Sequence, residues 1–336
     1  MNKAVQLLKD WMLPGAIVLG TSLYLLYHYT PALHAYGHWL HIAASEGQRL
    51  VIATLLFFQF VKISPHDLHV SRWHLGALLV QVLSFLALAG VVALTGGAVR
   101  MLAECAMLCM ICPTASAAGV ITDKLGGNLA ATVTYLVIIN VTATFLIPLV
   151  IPLVNPSSTL GFWAYVGHIA WKVFPVLILP GLLAWLIRYT THRLQRILMR
   201  WASNSFYVWG IGLTLAMVLA TRALLASGLG VGAFAGIVLV SAGTCFVQFW
   251  LGRRLGRARA ARAGLSAHES LADSITDSIT DSITAGQTLG QKNTGFLIWL
   301  GYNYMTPVTS VAGGLYAIWQ NLFNSWELYQ KEHREA

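Results

Sequence analysis

Two stretches decide the fold: Cys112-Pro113-Thr114-Ala115-Ser116-Ala117-Ala118-Gly119 and Ala285-Gly286-Gln287-Thr288-Leu289-Gly290-Gln291-Lys292-Asn293. Each lies inside a long apolar run. Pro113 removes a backbone donor, and the small residues after it permit non-helical backbone. Gly286 and Gly290 stand among polar side chains where a lipid-facing helix would be apolar. Irregular backbone at membrane depth is tolerated only where protein buries it or where it lines a cavity. Both stretches are read as broken spans.

The rest of the chain supplies the setting. It has 336 residues, of which 57% are hydrophobic and 10% charged. A soluble domain carries roughly a quarter charged residues. The apolar runs fall at about 11–28, 48–63, 74–96, 98–121, 128–154, 160–187, 204–226, 228–252, 285–302 and 304–326, long enough to cross a hydrocarbon core of roughly 30 Å as helices. They do not alternate, which excludes a membrane β-barrel. The expected fold is therefore all-α, with ten spans. The broken spans are the fourth of each set of five. Interrupted segments at matching places in two halves point to an inverted-repeat transporter, residues 1–156 against 157–336.

Charge sets the orientation. Lys3 and Lys9 precede the first run without a small-x-small cleavage site, so the first helix is read as retained. With ten spans and both termini in the cytoplasm, Lys62, Arg72, Lys124, Arg188 to Arg200, Arg253 to Arg262, Lys331 and Arg334 also fall inside. Only Arg49, Arg100 and Arg222 fall outside. The net charge of +9 thus reports topology in an inner membrane, not a nucleic-acid partner.

The longest polar break, 253–284, is expected to be a cytoplasmic loop. It holds three Asp-Ser-Ile-Thr units starting at Asp273, Asp277 and Asp281. Ile275, Ile279 and Ile283 share one helical face. A tandem duplication that lengthens the approach to the ninth span explains them. A docking segment is the alternative.

At these residues the sequence resembles the bile acid:sodium symporter family. Cys112 to Val120, followed by Gly127-Asn128, is similar to that family's fourth-helix crossover. Gln287 to Asn293 is similar to its ninth-helix crossover, Glu-x-Gly-x-Gln-Asn-Ser. Ile318-Trp319-Gln320-Asn321 resembles its tenth-helix Val-Trp-His-Asn. The resemblance implies a panel and a core of helices, with an organic anion bound at Thr114, Ala115, Ser116, Lys292, Asn293 and Thr294. It also implies cation positions at Gln81, Ala118, Gly119, Thr132, Leu136, Gln287 and Gln291. Gln81 and Gln291 are kept. The family's Ser-Asn pair reads Ala118 and Gly119, a hydroxyl reads Leu136, the acidic residue reads Gln287, and an Asn reads Lys292.

Sodium is a hard cation that needs several oxygens and usually nearby negative charge. These exchanges remove oxygens and add an ammonium. A lysine inside a span is costly and marks function, unless it snorkels to the interface. The expected activity is secondary transport of a small carboxylate- or sulfonate-bearing anion, not driven by sodium. The coupling ion, if any, is a proton or sodium, and no cofactor is expected. The partners are that anion and the lipid bilayer, and the oligomeric state is open.

Three alternatives stand beside this reading. A residual site at Gln81, Gln287 and Gln291 would keep sodium coupling. Thiols at Cys105, Cys109 and Cys112 would suit a metalloid exporter, although buried cysteines commonly act as small hydrophobes. A transport-dead sensor would use 253–284 for docking. Gln81, Gln287 and Gln291 would serve equally as interhelical hydrogen-bonding groups. Lys172 is expected to be structural. His34, His38 and His41 are expected at the interface, and His66, His69 and His74 in solvent. No nucleotide fingerprint or nucleophile elbow marks an enzyme.

Overall fold

The computed structural model describes residues 11–263 and 271–335. Among them the chain is helical and forms no strand. The helices are α1 Met12–Tyr29, α2 Gly37–Val61, α3 Arg72–Leu94, α4 Gly97–Ile111, α5 Ala118–Lys124, α6 Leu129–Val154, α7 Phe162–Leu177, α8 Leu179–Thr190, α9 His192–Ala202, α10 Ser205–Ser227, α11 Val231–Ala263, α12 Leu271–Gly290, α13 Thr294–Tyr304 and α14 Thr309–Glu335.

Of the described helices, α3, α6, α10 and the Val231–Arg257 part of α11 are long and apolar enough to cross a bilayer unaided. Helices α7 and α8 make a fifth crossing as a pair bent by 41°. Pro180 causes the bend: it has no N–H to give to the helix carbonyl four residues back. The surface agrees with this count. Leu75, Leu79, Leu83 and Leu86 form an exposed stripe along α3, an apolar surface that water would penalise and lipid would not. The chain is a multi-pass helical membrane protein. The other expected crossings are less apolar (α1, which ends on Tyr27, His28 and Tyr29), charged (α2 and α14) or interrupted (α4–α5 and α12–α13).

The main core gathers Cys105, Cys109, Leu136, Phe249, Trp299 and Tyr316 from α4, α6, α11, α13 and α14. Beside this core, helices α11 and α12 pack closely against each other. A Cβ at Gly252 would collide with the Ala285 carbonyl, and one at Gly256 with the Asp281 carbonyl. Only glycine permits that approach.

Two expectations need correction. The break at 253–284 is helical on both sides: α11 continues to Ala263 and α12 starts at Leu271, with 264–270 outside the described residues. The helix that leads to the second broken stretch accordingly begins well before residue 285. Second, His74 is buried, not solvated. It closes a capping box with Ser71, and its Nε2 donates to the Ala131 carbonyl at 2.9 Å. Lys292 is 0% exposed, so the snorkelling alternative does not describe it.

Candidate functional site

The two interruptions meet. Thr114 and Lys292 form an antiparallel bridge. The Ala115 N–H donates to the Gln291 carbonyl at 3.0 Å, and the Asn293 N–H donates to the Pro113 carbonyl at 2.8 Å. Each broken segment thus satisfies the other's backbone, which bilayer depth demands. Pro113 fits because its position needs only an acceptor. Side chains reinforce the crossing. The Thr114 hydroxyl donates to the Thr288 carbonyl at 2.8 Å, and the Cys112 thiol to the Asn293 carbonyl at 3.1 Å. Because the bridge is antiparallel, α4 and α12 enter it from opposite directions.

Lys292 is anchored by its backbone, whose N–H donates to Gln320 Oε1 at 2.8 Å. Among the described residues its side-chain nitrogen has no hydrogen-bond partner, and the titratable groups that act on it are the uncharged Cys112, Cys109 and Cys245 thiols, with no carboxylate among them. Cys109 and Cys112 lie at the C-terminal end of α4. Gly290, the residue two before Lys292, ends α12. The C-termini of both half-helices therefore converge on the lysine, and each carries partial negative charge. Around them the Tyr316 hydroxyl donates to the Gly290 carbonyl at 2.7 Å, and Gln248 Nε2 contacts the Cys109 carbonyl at 3.2 Å and the Tyr316 oxygen at 3.0 Å.

The remaining site positions fall into two groups. On the anion side, Thr114 is buried while Ala115 and Ser116 are half-buried. Asn293 is spent as a cap: its Oδ1 accepts the Phe296 N–H at the start of α13. Thr294 is buried at the first turn of α13. On the cation side, Gln81 is held at both ends. Its amide donates to the Met110 carbonyl at 2.6 Å and the Cys112 carbonyl at 3.3 Å, while the Tyr135 hydroxyl donates to its Oε1 at 2.6 Å. Thr132 accepts from Thr288 at 3.3 Å and donates to the Asn128 carbonyl. Leu136 and Ala118 are fully buried apolar side chains. A Cβ at Gly119 would lie 2.6 Å from Leu129 Cδ1, so Leu129 fills the place of a side chain there.

Gln287 and Gln291 lead to groups that the sequence reading passed over. Gln291 Nε2 donates to Gln287 Oε1, and Gln287 Nε2 donates to Glu327 Oε2 at 2.6 Å. The other Glu327 oxygen pairs with Arg253 on α11. Glu327 is buried, and the Arg253 side chain is partly exposed. A periodic signal for Glu327 does exist: Tyr316, Gln320, Asn324 and Glu327 run at helical spacing and are all buried. Towards the other end of α4, buried Glu104 accepts from Arg100 Nε at 3.1 Å and from the Thr306 N–H at 3.3 Å. Glu104 and Glu327 are the buried carboxylates among the described residues, and each is paired with an arginine.

Other candidates are not assembled. Among the described residues, no group of three His, Cys, Asp or Glu is placed to hold a metal ion, which leaves both the thiol trio and the histidine trio without a site. Lys172 pairs with Glu46 at 3.6 Å. Neither a protein-family model nor a curated protein matches the chain.

Proposed function

We propose that the protein is a secondary transporter of a small organic anion, similar in plan to the bile acid:sodium symporters, in which Lys292 takes the place of the coupling sodium ion. The observation that carries this reading is the Lys292 side chain, fully buried at the meeting of two interrupted helices, its nitrogen without a hydrogen-bond partner among the described residues. An uncompensated buried charge costs several kcal/mol. Two helix C-termini return at most about 2 kcal/mol each. Loss of the proton or a bound anion removes the remainder, and the charged form favours an anion over a second cation.

The state of the cation positions supports the absence of sodium coupling. Gln81 has its oxygen occupied by Tyr135, Leu136 offers none, and Leu129 fills the space at Gly119. The anion lies against Thr114, Ala115 and Ser116 and the first turn of α13 at Asn293 and Thr294, where backbone amides are offered. Completing the plan, α1, α2, α4–α5, α12–α13 and α14 join the five apolar crossings as ten spans in two inverted repeats. The membrane is the inner membrane, with both termini cytoplasmic.

The test is an uptake screen in proteoliposomes holding the full chain. Labelled carboxylates and sulfonates are offered under sodium, potassium and proton gradients imposed separately. Accumulation of an anion without a sodium gradient supports the reading. Accumulation only with sodium returns the function to sodium symport. Uptake of no anion, with arsenite export instead, replaces the substrate class.

A further inference from the structure

Helix α9 is the feature that transport does not use. Arg193, Arg196 and Arg200 recur at i, i+3 and i+7 on one face, with His192 beside them. Leu194, Ile197, Leu198 and Trp201 occupy the adjoining face. All three arginines are exposed, and none takes part in an ion pair among the described residues. The sequence offers them no local acid, because no Asp or Glu occurs between Asp123 and Glu269. On the apolar face Leu198 packs on the main core and Ala202 is buried, while Leu194, Ile197 and Trp201 stay uncovered, Trp201 at 66% exposure.

Position decides what covers that face. Helix α9 follows α8, the second half of a bent crossing, after the single residue Thr191, and it precedes α10, itself a crossing, by two residues. At 11 residues it spans about 16 Å and cannot cross roughly 30 Å of hydrocarbon. It is fixed at the membrane boundary, where an amphipathic helix lies in the plane with its apolar side in the acyl region.

We infer that α9 is a binding site for anionic phospholipid. The phosphates of the headgroups are held by Arg193, Arg196 and Arg200, and Leu194, Ile197 and Trp201 are seated among the acyl chains. Charge complementarity selects this occupant: three unpaired guanidiniums beside an apolar strip match a headgroup joined to its chains, and a free phosphate would leave the strip uncovered. The inference does not depend on the transport reading.

The test uses the full chain in nanodiscs of equal phosphatidylglycerol and phosphatidylcholine, with co-purifying lipid counted by native mass spectrometry. The wild type is expected to enrich phosphatidylglycerol. Replacing arginines singly by glutamine should cut that enrichment by up to about fivefold each, the effect of one basic residue near an anionic surface. R193K/R196K/R200K, which keeps the charge, should retain it. Equal enrichment in R193Q/R196Q/R200Q and wild type would overturn the site. So would loss of the bound lipid on adding inorganic phosphate at constant ionic strength. Dissociation of a dimer by the glutamine variant, with lipid unchanged, would assign the face to a second copy instead and also overturn it.

Discussion

The amide of Gln287 donates to the carboxylate of Glu327 at 2.6 Å, joining the helix that enters the crossover to the last helix of the chain. A carboxylate absent from the sequence at position 287 is thus present in space, brought from forty residues away and neutralised by Arg253. Removing Arg253 leaves a buried, unpaired carboxylate. Arg253→Ala is expected to destabilise the folded protein by about 3 kcal/mol or more. The double variant Arg253→Ala with Glu327→Ala should recover part of that loss. Thermal unfolding of the two variants in detergent measures this; a double variant less stable than Arg253→Ala alone would contradict it.

Gln81 acts here as a structural clamp on the end of α4, with three hydrogen bonds at 3.3 Å or less. Gln81→Leu strands the Tyr135 hydroxyl and two carbonyls. A loss of about 1–3 kcal/mol per stranded buried group sets the scale. The expected outcome is a lower melting temperature together with an unchanged response of uptake to sodium. A lost sodium response at unaltered stability would return Gln81 to a ligand role.

The bridge between Thr114 and Lys292 is a non-hydrogen-bonded antiparallel pair, because the flanking residues carry the bonds. Such pairs bring the Cα atoms to about 4.5 Å, within disulfide reach. With Cys105, Cys109, Cys112 and Cys245 replaced, Thr114→Cys combined with Lys292→Cys should form an intramolecular disulfide on mild oxidation. Mass mapping of the peptides would show it. Persistent free thiols under oxidant would mean that the two breaks do not meet.

Orientation is checked separately. A tag inserted between residues 264 and 270 should be reached only from the cytoplasmic side, as the basic residues from Arg253 to Arg262 require. Labelling from outside alone would overturn the ten-span arrangement.

What the sequence revealed, and what it concealed, follows from the range of each signal. Pro113 acts on its own backbone, so the first interruption could be placed from local chemistry; Gly286 and Gly290 turn out to be helical and serve close packing against Arg253 and Phe249, and the second break falls after them, at 291–293. The burial of Lys292 followed from the polar neighbours around it. The fate of Gln81 was hidden because Tyr135, its partner, lies 54 residues away. Glu327 lies beyond the apolar end of the tenth run, where composition alone signals solvent, although the buried stripe from Tyr316 continues to it. The polar run at 253–284 read as a connection because composition reports solvent, and a helix extending beyond the bilayer is polar too. His74 was misjudged at a boundary: one turn into α3, its ring folds back to cap the helix and is buried against the Ala131 carbonyl.

The central claim is that Lys292 stands where a sodium ion would otherwise sit. Its most direct test is uptake of the anion identified by the screen, in proteoliposomes, with external sodium replaced by choline at constant ionic strength. The account predicts an unchanged initial rate for the wild type, and for Lys292→Asn a loss of transport that sodium does not restore. A wild-type rate that rises steeply with sodium and vanishes in choline would contradict it.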